Sequence, residues 1–170
     1  MVIYMKAIET ALSLTQAYKL GIERFEKMLG NEFAKAVESM NNSSTHIIVC
    51  GMGKSGLVGR KISSTLASTG TPSIFLHPAE AIHGDLGKVQ KNSVVLLISY
   101  SGETGEIIAL IPALKRLDVN IIALTGVKNS TLANISDIVL DTSVDREACP
   151  LNLAPTTSTM ITMVLGDALA

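Results

Sequence analysis

Five short apolar runs set the narrowest limit on how this chain folds: HIIVC from residue 46, SIFLH from 73, SVVLLIS from 93, NIIALT from 120 and DIVLDT from 137. A strand with one wet face alternates apolar and polar side chains. These runs are apolar throughout and rich in β-branched residues, which marks strands covered on both faces. Between them lie segments of helical character near 55–69, 104–117, 129–135 and 157–169. Strands covered twice and separated by helices require a parallel sheet with right-handed crossovers. The expected architecture is α/β, a three-layer αβα sandwich around a five-stranded parallel sheet.

Upstream, Ile8, Ala11, Leu12, Thr15, Tyr18, Ile22, Phe25 and Leu29 recur every three or four residues, the stripe of an amphipathic helix. Gly30-Asn31 breaks it, a shorter helix through Phe33, Ala36, Val37 and Met40 follows, and NNSST closes the region. Residues 1–42 therefore read as a helical N-terminal arm and 43–170 as the sheet core of a single domain.

Apolar residues make up 47% of the chain, yet no run nears the roughly 18 uninterrupted apolar residues of a membrane span. The opening MVIYMKAIETALSLTQ has no small-residue cleavage site of a secretory leader. A soluble, cytoplasmic protein is expected, with no membrane partner. Cys50 and Cys149 have neither metal-ligand spacing nor the density of a disulfide scaffold, so both read as free thiols. Fourteen basic against fifteen acidic residues and no Trp argue against nucleic acid as a partner. A small ligand is the expected one.

Two strand-to-helix junctions carry the chemistry. The first, IIVCGMGKSG at 47–56, invites two familiar readings. A nucleotide P-loop requires glycine where Ile48 stands. The spacing Gly51-x-Gly53-x-x-Gly56 fits a dinucleotide fingerprint, but the second strand ends in Leu76-His77-Pro78, without the acidic residue that binds ribose hydroxyls. What survives is the physics both motifs share. Glycines such as Gly53 let backbone approach an anion, and a helix N-terminus supplies unpaired N–H groups and partial positive charge. Lys54 and Ser55 add a cation and a hydroxyl.

The second junction, Ser99-Tyr100-Ser101-Gly102-Glu103-Thr104-Gly105-Glu106, sets hydroxyls and glycines at the start of another helix. Hydroxyls with backbone N–H groups make a receptor for a phosphate monoester, although a single Ser or Thr there is often only a cap. In the flavodoxin-like order 2-1-3-4-5 the first and third strands flank the topological switch point, so both loops open into one crevice.

The pair GMGKSG and SYSGET resembles the signature of sugar isomerase (SIS) domains. With HPAEAIHGDLG at 77–87, EACPLNLAPTTST at 147–159 and the closing GDALA, the chain from about residue 31 is similar to D-arabinose-5-phosphate isomerases. Those enzymes interconvert ribulose 5-phosphate and arabinose 5-phosphate, which supplies the eight-carbon acid sugar Kdo of lipopolysaccharide or capsule. The resemblance implies a sugar phosphate ligand, a homotetramer, and phosphate contacts at Ser55, Ser99, Ser101 and Thr104. It also implies catalytic roles for Lys54, Glu106 and His83. A further family histidine beyond the GDALA segment and the paired CBS modules of many members have no counterpart here, so an isolated or truncated isomerase domain is expected.

The residue types suit the implied chemistry. Moving a carbonyl between C1 and C2 needs a base that carries a proton through an enediolate, and Glu106 in a first helical turn is a carboxylate at the right end of the phosphate-binding helix. It is otherwise an ordinary first-turn acid. Lys54 would neutralise charge on the enediolate oxygens, or else is a solvated lysine. His83 would shuttle a proton or help open the furanose ring, or else caps a loop. Glu103 and His77 read as structural. An enediol route calls for no metal or organic cofactor. The alternatives are a phosphosugar sensor without turnover and another isomerase of the same superfamily. The mixed charges of Lys6, Glu9, Lys19, Glu23, Arg24, Glu26 and Lys27 weaken the sensor, because regulators usually add a basic DNA-binding domain.

Overall fold

The computed structural model of the protein describes residues 2–170. Five strands, β1 (Ile47–Gly51), β2 (Ser73–Leu76), β3 (Val94–Ile98), β4 (Asn120–Thr125) and β5 (Ile138–Asp141), form one sheet in the order β2-β1-β3-β4-β5. Every pairing is parallel, as the doubly apolar runs require. The helices are α1 (Val2–Met28), α2 (Asn31–Asn41), α3 (Gly53–Ser68), α4 (Pro78–Ile82), α5 (Gly105–Arg116), α6 (Thr131–Ile135) and α7 (Thr157–Leu169).

The side-chain period of two sends alternate strand residues into two separate cores. Ile47, Val49, Leu96, Ile98, Ile122 and Leu124 pack with Ile62 and Leu66 of α3 and with Ile161 and Leu165 of α7. Ile48, Cys50, Val95, Leu97, Ile121 and Ala123 pack on the other face with Ile107, Leu110 and Leu114 of α5 and Leu132 of α6. Both cores are shielded from water, which is why neither face of these strands needs polar residues. Burial without a partner pushes the Cys50 thiol up to about 12.

The N-terminal helices join the first of these cores rather than standing apart from it. Phe25 near the end of α1 and Ala36 and Met40 of α2 are buried in that cluster. Ala17 of α1 is buried too, whereas Met5, Ile8, Leu12 and Leu20 are each more than half exposed.

One segment carries more structure than its sequence pattern announces. Between β2 and β3 the chain makes the single-turn helix α4, with Pro78 at its start, and then a 3-10 turn at Asp85–Lys88. Elements of four or five residues are too short to display a 3.6-residue period, so only the proline marks the start. Among the described residues, no helix is long and apolar enough to cross a membrane.

Candidate functional site

Parallel strands release all their outgoing loops on one edge, and strand register fixes which loops are neighbours. Gly51, the last residue of β1, pairs with Ile98, the last residue of β3. The 52–56 and 99–104 junctions therefore leave adjacent strands at the same level. Cys50 pairs in turn with Leu76 at the end of β2, which brings the start of the His77–Asp85 segment to the same edge.

The three glycines of the first junction do different work. A Cβ on Gly56 would lie 2.6 Å from the Gly51 carbonyl oxygen, and one on Gly51 would lie 2.9 Å from Ser55 O. Strand end and helix start are thus in backbone contact. Gly53 has φ +56 and open space around its missing side chain, so its glycine serves the turn itself and leaves the backbone uncovered. The residue before α3 is Met52, which has no polar side chain to cap the helix. The first N–H groups of this 16-residue helix are left for another acceptor.

The second junction reaches the same result with hydroxyls. Thr104 sits at the N-cap of the 12-residue α5 but does not cap it. Its Oγ1 lies 2.7 Å from Ser99 Oγ instead. Ser99 Oγ also accepts from Gly102 N at 3.1 Å, and Ser101 Oγ accepts from Glu103 N at 3.2 Å. Gly102, with φ +67, completes the tight loop. Ser99 is buried, Thr104 half-buried and Ser101 exposed, so the hydroxyls span the loop from core to surface.

Around these paired loops stand the ionisable residues. Glu106 lies in the first turn of α5 and is half-buried, Lys54 is exposed in the first turn of α3, and His83 is exposed at the C-terminal end of α4. Among the described residues none of these three takes part in an ion pair. Lys54 and Glu106 thus follow the carboxyl ends of the neighbouring strands β1 and β3, the usual location of ligands in open α/β sheets, and His83 follows the short helix after β2. Two cavities lie elsewhere. One of about 470 Å³ is lined by Phe25, Phe33 and Leu140 beside β5, and one of about 610 Å³ by Lys6, Arg146 and Cys149 beside α1.

Sequence reasoning left two sets of contacts unseen. Glu103 Oε1 accepts from Thr131 N at 2.6 Å, a bond spanning 28 positions whose partner no local pattern could name. Glu147 caps α7: its carboxylate accepts from Thr156 N at 2.7 Å, Thr156 Oγ1 at 3.0 Å and Ser158 N at 3.2 Å, and also from the Ser158 hydroxyl. Partial burial pushes this carboxyl up, but the hydrogen bonds from Ser158 and Thr156 outweigh it and hold the group below its ordinary range. The run TTST, with its hydroxyls at the helix start, was the available signal. His77 precedes Pro78 at the start of α4, and its buried Nδ1 has no hydrogen-bond partner among the described residues. No group of His, Cys, Asp and Glu that could hold a metal occurs among the described residues.

The SIS domain model matches residues 39–170. The chain is 56% identical over 142 residues to the arabinose 5-phosphate isomerase KdsD of Pseudomonas aeruginosa, covering 84% of this chain and 44% of that protein. It is 49% identical over 167 residues to a probable arabinose 5-phosphate isomerase of Haemophilus influenzae, covering 98% and 49%. The chain thus spans about half the length of these curated relatives. An E. coli CFT073 protein solved in complex with arabinose 5-phosphate superposes with a TM-score of 0.88 at 38% identity, over 97% of this chain and 88% of that one.

Proposed function

The chain belongs to the SIS domain family, and from that premise we propose that it is an aldose–ketose isomerase interconverting D-ribulose 5-phosphate and D-arabinose 5-phosphate. The observation that carries this reading is that two adjacent strands ending at one level each lead into a helix whose N-terminus lacks a side-chain cap. Such a pair suits one doubly charged anion, since each helix offers free N–H groups and partial positive charge. Residues 1–170 act as one SIS domain in this reading.

In the proposed reaction the phosphate sits against Ser55, Ser99, Ser101 and Thr104, near the Gly53 backbone. Anchoring one end of the sugar sets C1 and C2 beside the first turn of α5. Glu106 takes a proton from C1 of the open-chain ketose, the electron pair forms the enediolate, and the same carboxyl returns the proton to C2. Lys54 offsets the negative charge on the enediolate oxygens. His83 moves a proton between the oxygens or helps open the furanose ring. The product would supply Kdo synthesis for lipopolysaccharide or capsule in the cytoplasm.

A coupled assay of ribulose 5-phosphate against other ketose phosphates tests the substrate. Preferred turnover of ribulose 5-phosphate is expected; preference for a hexulose or heptose phosphate would move the chain to another isomerase of the superfamily. Assembly belongs to the same reading. The exposed apolar stripe of α1, through Met5, Ile8, Leu12 and Leu20, is more greasy surface than a monomer commonly leaves in water. A homotetramer is expected by light scattering at micromolar concentration, and a monomeric mass there would overturn it.

A further inference from the structure

Loop 99–104 is held from behind by β4 and the segment that follows it. Its first half is secured through main chain: Ser99 N donates to Leu124 O at 3.1 Å and Gly126 N to Tyr100 O at 2.9 Å. Thr125 Oγ1 adds a bond to Tyr100 O at 3.2 Å. At mid-loop Leu132 N donates to Gly102 O at 3.1 Å, and Gly102 is so close to Ser130 that a Cβ there would lie 2.0 Å from Ser130 Oγ. Beyond Gly102 the tie passes to a side chain. Glu103 Oε1 accepts from Thr131 N at 2.6 Å, just before Thr104 and the start of α5.

From these contacts we infer that Glu103 is a positioning residue: its carboxylate, fastened to Thr131 N, fixes the second half of the loop so that Ser99, Ser101 and Thr104 present one preformed anion receptor. The inference rests on the reading of this loop as the phosphate site. Glu103 is not a ligand contact. A carboxylate facing a phosphate dianion would repel it, whereas this one is fastened to a backbone N–H of the neighbouring segment. Preformed geometry matters because a loop that must order on binding loses affinity.

The bond can be cut from either end. Glu103→Ala removes the acceptor, and Thr131→Pro removes the donor. Thr131 is the first residue of α6, where proline is tolerated, and Ser130 before it is extended at φ −78 and ψ 162, as a residue preceding proline prefers. Glu103→Gln keeps a carbonyl oxygen for Thr131 N while removing the charge.

Binding of arabinose 5-phosphate is measured by calorimetry, and amide hydrogen exchange is followed over 99–104. Each cutting variant should weaken binding roughly tenfold, the loss of about one hydrogen bond, and should speed exchange in the loop. The double variant should be no worse than either single one, since both cut the same bond. Glu103→Gln should stay within about twofold of the unmodified protein in both readouts. Unchanged exchange in Glu103→Ala and Thr131→Pro would overturn the inference, as would additive losses or a Gln variant as impaired as Ala. An unmodified protein that binds no phosphosugar overturns the phosphate site instead, while exchange still reports on the Glu103 fastening.

Discussion

Ser99 Oγ and Thr104 Oγ1 lie 2.7 Å apart and close the loop between β3 and α5. This contact frees the start of α5 from its own capping residue, because the Thr104 hydroxyl is turned to Ser99 rather than to the helix N–H groups. Two features of a phosphate receptor, a hydroxyl cluster and uncapped amides, thus come from one hydrogen bond.

Ser99→Ala frees the Thr104 hydroxyl to turn back and cap the helix, and Thr104→Val removes that hydroxyl while Ser99 Oγ stays on Gly102 N. Each should weaken phosphosugar binding roughly tenfold while the protein stays folded. Ser99→Ala, Ser101→Ala and Thr104→Ala combined should abolish protection against thermal unfolding by a sugar phosphate. Undiminished protection in that triple variant would remove the loop from the binding site.

Much of this arrangement was legible in the sequence. The fully apolar strands predicted a parallel sheet covered on both faces, and the structure has one, in the expected order. The two junction loops could be found because glycine and hydroxyl residues cluster where an apolar run ends. The contacts across the sheet edge could not. Thr131 lies 28 positions from Glu103 and carries no local mark of its role. The N-terminal region was legible as two helices, but not the burial of Phe25, Ala36 and Met40 among sheet residues, because a stripe shows that a helix buries a face and not against what.

Gly102 and Gly53 should respond differently to alanine. Both have positive φ, so either substitution strains the backbone by roughly 1 kcal/mol. At Gly53 nothing stands in the way of a methyl group. At Gly102 it would lie 2.0 Å from Ser130 Oγ and 2.4 Å from Ser130 Cβ, pushing away the residue whose Oγ accepts from Ala133 N at 3.3 Å as the cap of α6. Losing that cap adds about 1 kcal/mol, so Gly102→Ala should cost roughly twice as much stability as Gly53→Ala in chemical denaturation. Equal losses would contradict the contact.

Glu147 makes a pH prediction with a definite sign. Its folded pKa lies below the ordinary 4.5, so near that pH the unfolded chain binds more protons than the folded one. The stability it contributes is complete above pH 4.5 and drains away as pH falls through the lower folded value. Glu147→Gln should therefore lower stability at pH 7 by about 1 kcal/mol, a capping contribution reduced by solvent screening. The melting temperature should fall roughly 2–4 °C. The two proteins should converge in acid below pH 4.5, and a gap that widened there would refute the assignment.

The most direct measurement of the proposed chemistry is solvent deuterium exchange at C1 of D-ribulose 5-phosphate, followed by NMR beside a binding titration. It compares the unmodified protein with Glu106→Gln, both as this chain and extended to the length of its relatives. Glu106→Gln keeps the size and hydrogen-bonding atoms of the side chain but cannot take the proton. Binding should persist, while exchange and isomerisation fall by ~10²- to 10⁴-fold, the usual contribution of a general base. Near-normal exchange in Glu106→Gln would contradict the assignment and pass the proton to a histidine, with His83 first. Tight phosphosugar binding by the unmodified extended protein, with no exchange and no isomerisation of any ketose phosphate offered, would contradict the enzyme itself and leave a sensor.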